Sequence, residues 1–158
     1  MKKRFDIRSF LTRDEEEAVV SAVIAAESKT AGEIRVQIVS KSQGRFSRLT
    51  PKEAVERRAD REFMHLGIQQ TADRTGILIM LSLNERIVAV RADKSIHEKV
   101  PDGTWTRTAE LVVEGIRAGK PGEGICNAVA QVGELLAQHF PRRADDIDEL
   151  PNTIAVEE

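Results

Sequence analysis

The chain has 158 residues, 41% hydrophobic and 32% charged, which suits one domain burying about 70% of its unfolded surface. A net charge of −2 and 4% aromatics with no Tyr argue against nucleic acid or an anionic membrane as the partner. The single cysteine, Cys126, rules out an internal disulfide and a cysteine-built zinc cage.

Met1-Lys2-Lys3-Arg4 is a basic start, but Asp6, Arg8, Arg13 and Asp14 leave no apolar stretch for a signal peptide. No run approaches the ~18 apolar residues that span a bilayer, so the expected setting is cytoplasmic and reducing. Thr12-Arg13-Asp14-Glu15 has capping-box spacing, and acids in that first turn meet the positive end of the helix dipole. Val19, Val20, Val23 and Ile24 then recur at helical spacing, predicting an amphipathic helix over 13–28. After Thr30-Ala31-Gly32, the residues Ile34, Val36 and Ile38 alternate with Arg35 and Gln37, the period of a strand.

A polar loop (41–49) leads to Thr50-Pro51-Lys52-Glu53, a second helix start with Pro at its first position. Val55, Ala59, Glu62, Phe63 and Leu66 carry that helix to Gly67. Gly76 to Leu81 is nearly all apolar, as in a strand covered on both faces. Asn84-Glu85 connects it to a partner strand, Arg86 to Ala92, as a β-hairpin. A short turn over 95–100, a helix from Thr104 and a last helix ending before Pro141 follow. The residues after Pro141 are acidic, contain Pro151, and are expected to be extended. The predicted architecture is α/β: a three-layer helix–sheet–helix sandwich around a small mixed sheet of about four strands. It forms one domain over 1–158, with a core over about 10–141 and a tail over 142–158.

Several segments resemble a known family. Thr30-Ala31-Gly32-Glu33-Ile34-Arg35-Val36 resembles the T-x-G-E-I-x-V opening of the first strand in TPM domains. Thr71 to Leu78 resembles that family's T-x-x-R-N-G-V-L entry to the second strand, and Asp93-Lys94-Ser95-Ile96 its D-x-G-I turn after the third. Trp105, and His139-Phe140-Pro141 with Asp148-Glu149-Leu150-Pro151, resemble a bacterial cytoplasmic branch of that family. Thr75 and Ser95 replace the family's Asn and Gly, both at loop positions near its shared pocket. The resemblance implies mixed roles: a thylakoid-lumen acid phosphatase, photosystem-repair proteins and receptor-accessory proteins, some binding divalent cations.

Glu33, Asp73 and Asp93 fall at strand ends or adjoining turns, and pairing of the strands would gather them at one sheet edge. Carboxylate oxygens are what Ca²⁺ and Mg²⁺ prefer, so these three are the candidate metal ligands. The structural alternative pairs Glu33 with Arg74 or Arg91 and lets Asp73 cap a turn. Asp73, Arg74 and Arg91 are the candidate catalytic residues, the arginines as bidentate grips for phosphate or as partners of nearby acids.

Phosphatase chemistry also needs a nucleophile or an activated water, and the sequence carries no phosphate-cradling loop or paired-Asp motif. Cys126 beside Ile125 and Val129 reads as a small core residue. His65, His97 and His139 share no metal-ligand spacing with one another. His65 reads as a partner for helix-terminal carbonyls, His139 as a helix terminator, and His97 neighbours Glu98 near the candidate pocket. Trp105 is a core anchor or an exposed partner contact. Arg57, Arg58 and Arg61 among Glu53, Glu56, Asp60 and Glu62 read as a solvated helix face. The expected function is a TPM-like protein-binding adaptor with a Ca²⁺ or Mg²⁺ site and a protein partner, membrane-associated as one option. The alternative is a metal-assisted hydrolase of small phosphoesters.

Overall fold

The structure is a computed structural model that describes residues 6–144, 146–147 and 149–158. The basic start Met1 to Arg4, and Asp145 and Asp148 of the tail, lie outside the described residues. Helix α1 (Arg13–Glu27) begins with the expected reciprocal cap: the Glu15 amide donates to Thr12 Oγ1 at 3.1 Å, and the Thr12 amide donates to Glu15 Oε1 at 3.1 Å. Two orphan amides of the first turn are thereby satisfied. Strand β1 (Glu33–Val39) sends Ile34, Val36 and Ile38 to one face and Val39 to the other, the period-two rule that divides the molecule into layers.

Helix α2 (Pro51–His65) starts at Thr50, whose hydroxyl accepts from the Glu53 amide at 3.2 Å. Gly67 at φ 71°, left-handed backbone that glycine adopts without a Cβ clash, turns the chain into an unexpected short 3₁₀ turn, Ile68–Gln70. Strand β2 (Gly76–Ser82) is buried at every position, as its unbroken apolar run predicts. It forms the hairpin with β3 (Ile87–Ala92). The short α3 (Lys94–His97), α4 (Thr104–Arg117) and α5 (Pro121–His139) follow. The tail then adds β4 (Ala155–Glu157).

The sheet order is β3-β2-β1-β4. β1 runs parallel to β2 and to β4, while β3 is antiparallel to β2, giving the mixed four-stranded sheet expected. The fourth strand comes from the tail, where the residue pattern had marked no strand. On one face the larger core packs Val19, Val23, Ile34, Ile77, Val129 and Leu136 beneath α1, α4 and α5. On the other, Val55, Ala59, Ile68, Leu78 and Met80 pack beneath α2. Each fully buried aliphatic side chain contributes roughly 1.5–3 kcal/mol, so the sheet is held from both sides as a three-layer sandwich.

Candidate functional site

The register gathers the carboxylates flagged by the sequence at one end of the sheet. Glu33 stands opposite Gly76 at the start of β1 and β2, and the Asp93 amide donates to the Gly76 carbonyl at 3.0 Å. Asp73 lies three residues before Gly76 in the entry loop. Each carboxylate is engaged differently. Glu33, 3% exposed, accepts from the amides of Glu149 and Leu150 (2.7 Å for Leu150) through Oε1. It ties down the tail rather than pairing with Arg74 or Arg91. Asp73 is exposed and pairs with Arg143. Asp93 caps α3, accepting from the Lys94 amide through Oδ1 at 2.7 Å, while its buried Oδ2 has no partner.

Beside them a cleft of about 400 Å³ is lined by Asp73, Ser95, Lys99, Phe140 and Arg143. Of the two departures from the family pattern, Ser95 lines the cleft and Thr75 sits behind it, bonded to the lining residue Ala31. The Thr75 hydroxyl donates to the Ala31 carbonyl at 3.4 Å, and the Ser95 hydroxyl donates to the Asp73 carbonyl at 3.4 Å.

The two candidate arginines do not share that cleft's lining. Arg74 takes left-handed backbone at φ 51° in the entry loop. Arg91 reaches α2, donating to Asp60 Oδ1 at 2.6 Å and to the Glu56 carbonyl at 3.4 Å. Cys126 packs against the larger core; burial, with Glu123 and Glu15 nearby, pushes its thiol up, away from the thiolate a nucleophile needs. His97 is exposed at the end of α3.

A second polar cluster sits on the α2 face, where the sequence reads a solvated helix and a terminal histidine. Glu62 is 5% exposed because it occupies the same stripe of α2 as Val55 and Ala59. The Arg58 side chain, only 15% exposed, donates to Glu62 Oε1 at 2.9 Å and to Glu157 Oε2 at 3.4 Å. Arg58 also donates to the Lys41 carbonyl at 3.1 Å. The fully buried Gln37 donates to Glu62 Oε2 at 2.9 Å.

His65 Nδ1 lies 3.6 Å from Glu62 Oε2, so this imidazole faces a carboxylate rather than helix-end carbonyls. Burial pushes the Glu62 carboxyl up, but the Gln37 amide, the Arg58 guanidinium and a hydrogen bond with Glu157 together outweigh it and hold the group below its ordinary range. One potential ligand atom from each of Glu62, His65 and Glu157 lies within 4.8 Å of the others, a set able to hold a metal ion. The Glu-x-x-His spacing at 62 and 65 was the available sequence signal. Glu157 had none, since only the tail's return to β1 brings it there.

The third feature is a groove of about 740 Å³ floored by β3 and flanked by α2 and α4, with Lys52, Glu56, Trp105, Ala109, Val113 and Arg117 among its lining. β3 ends the sheet order. The bond from the Asp93 amide to the Gly76 carbonyl fixes the alternation: residues 87, 89 and 91 bond to β2, whereas Val88, Val90 and Ala92 turn their backbone groups outward. The Val90 carbonyl accepts from Arg91 Nη1 at 3.1 Å. Trp105 is partly buried against the larger core, as a core anchor, and also lines this groove.

A family model, the TPM domain, matches residues 5–135. The solved NMR structure of the BA42 protein from the psychrophilic bacterium Bizionia argentinensis is similar at 33% identity and TM-score 0.79, over 99% of each chain. The N-terminal domain of a P. gingivalis protein shares the fold at 21% identity and TM-score 0.55, over 82% of this chain and 78% of that one. Among curated proteins no match was found.

Proposed function

This chain belongs to the TPM domain family, and from that premise we propose that it is a protein-binding module that takes an extended segment of its partner along β3. The observation carrying this reading is the outward edge of β3 lying in a groove walled by α2 and α4. An unpaired strand edge is a template for another strand. Main-chain hydrogen bonds supply affinity in such strand addition, and pockets for alternate side chains supply selectivity. Trp105, Ala109 and Val113 offer apolar contact on the α4 wall, while Lys52, Glu56 and Arg117 offer charge around it.

The protein's own tail already joins the opposite edge as β4, so this sheet accepts short added strands. No helix among the described residues is long and apolar enough to cross a membrane, and a membrane-associated partner would be met from outside the bilayer.

The test is selection of binders from a random peptide display library, followed by affinity measurement on Val88→Pro. Proline removes one outward N–H without touching the bonds to β2, a position edge strands tolerate. The selected peptides are expected to bind Val88→Pro about tenfold or more weakly while its circular dichroism is preserved. Equal affinity for both proteins would sink the reading.

A second reading is favoured by one observation, the buried and unpartnered Oδ2 of Asp93, two residues from Ser95 at the cleft. In a metal-assisted phosphatase, Asp73 and Asp93 would hold Ca²⁺ or Mg²⁺ with Glu33 nearby, and Arg74 or Arg91, neither of which lines the cleft, would have to turn toward it to neutralise the phosphate. The bound cation would supply Lewis-acid activation of the phosphoester. Glu33 and Asp73 each have a partner at present, the tail amides and Arg143, so a cation there has to displace or share them. Saturable, cation-dependent hydrolysis of p-nitrophenyl phosphate that disappears in Asp73→Ala would favour this reading over the first. Absence of turnover across pH and several cations dismisses it.

A further inference from the structure

We propose that Glu62, His65 and Glu157 form a metal site of the zinc or manganese class that clamps strand β4 onto helix α2. Glu62 and His65 stand one turn apart on α2, and i, i+3 side chains share a helix face. A Glu-x-x-His pair at this spacing is a recurring metal-binding device in helical proteins. The third ligand arrives from a segment far along the chain, because β4 pairs with β1 and places Glu157 beside Val39. The ligand atoms already lie within 4.8 Å of one another.

A second, independent observation points to a cation. Gln37 is fully buried with its amide against Glu62, and its Oε1 is buried without a partner. The buried Glu62 carboxylate thus meets the Arg58 guanidinium and the Gln37 amide, with the more exposed His65 and Glu157 side chains beside it. A buried acceptor requires a donor or a cation, and Gln37 Oε1, on the side chain that holds Glu62, has neither. Arg58 occupies Glu62 Oε1, whereas Oε2 faces both Gln37 and His65. Gln37 would act as an outer-shell group that fixes the ligating carboxylate.

One imidazole nitrogen with two carboxylates selects against Ca²⁺ and Mg²⁺, which take oxygen ligands, and toward Zn²⁺, with Mn²⁺ as the runner-up. The expected Ca²⁺ or Mg²⁺ ligands were Glu33, Asp73 and Asp93, so this is a different site and a different class of ion. The role is structural and independent of strand addition at β3. The ion would join the tail to the layer that α2 forms, reinforcing what Arg58 already does through Glu157 and the Glu158 carbonyl.

The experiment is titration of zinc chloride into the chelator-treated full chain, followed by calorimetry, thermal unfolding and ¹⁵N shifts of the His65 ring; manganese chloride is the second probe. One saturable equivalent is expected, with a rise in Tm and a perturbed His65 ring signal. Both His65→Ala and Glu157→Gln are expected to weaken binding about tenfold or more, while His97→Ala, an exposed histidine elsewhere, leaves it unchanged. His65 is exposed at the end of α2, so its removal tests ligation without unfolding the protein. Absence of saturable binding of either metal, or binding indifferent to His65→Ala, would overturn the assignment.

Discussion

At the scale of the residue, Glu62 shows how a helical pattern carries information that a charge count conceals. Val55, Ala59 and Glu62 fall on one stripe of α2, and an acid on an apolar stripe is buried with partners or not buried at all. Those partners are Gln37, Arg58 and His65, from two elements. Arg58 is likewise half of a part-buried pair rather than part of a fully solvated face. The same reasoning fixes the sign of a pH effect. Glu62 is held below its ordinary value of 4.5, so its stabilisation is complete above that value and is lost as pH falls through the lower, folded-state value. With chelator present, Glu62→Gln is expected to cost roughly 1.5–3 kcal/mol at pH 7. The gap from the parent protein should narrow as urea melts are repeated from pH 5 downward. A gap that widens toward low pH would contradict the assignment of a depressed carboxyl.

At the scale of the element, the regular segments were legible and the irregular ones were not. Thr12 and Thr50 announce their helices because a hydroxyl before an acid three residues on has one low-energy use. The β2–β3 hairpin follows from two apolar runs joined by a short polar connection. Strand β4 has three residues and no periodicity long enough to register, and its existence depends on β1 offering an edge. Its approach is fixed by Glu33, whose carboxylate accepts two tail amides. Deleting residues 149–158 therefore leaves a buried carboxylate without those donors. A loss of about 1–3 kcal/mol is expected in chemical denaturation, partly recovered when Glu33→Gln is added to the truncated chain. No recovery would mean that the tail acts through packing alone. Between α4 and α5 the helices touch at glycines, where a Cβ on Gly115 would lie 2.5 Å from the Gly124 Cα. Gly124→Ala is accordingly expected to lower stability by about 1–3 kcal/mol, read from thermal unfolding. A change below a few tenths would show that this contact relaxes freely.

At the scale of the whole molecule, layering and family membership were legible because they are written in periodicity and in segments spread along the chain. The gathering of Glu33, Asp73 and Asp93 at one sheet edge also followed from strand direction. Their individual partners did not, since Arg143 and the amides of Glu149 and Leu150 come from a tail whose path no local pattern dictates. The groove was equally hidden: it exists only because β3 ends the sheet order while α2 and α4 stand on opposite faces of it. The central claim, that partners add a strand at β3, is tested most directly by amide hydrogen exchange on the full chain with and without a bound selected peptide. The account expects new protection at the outward amides of Val88, Val90 and Ala92, with the amides of 87, 89 and 91 little changed. Protection confined to other segments, such as the cleft around Asp73 and Ser95, with the β3 amides unaltered, would contradict it.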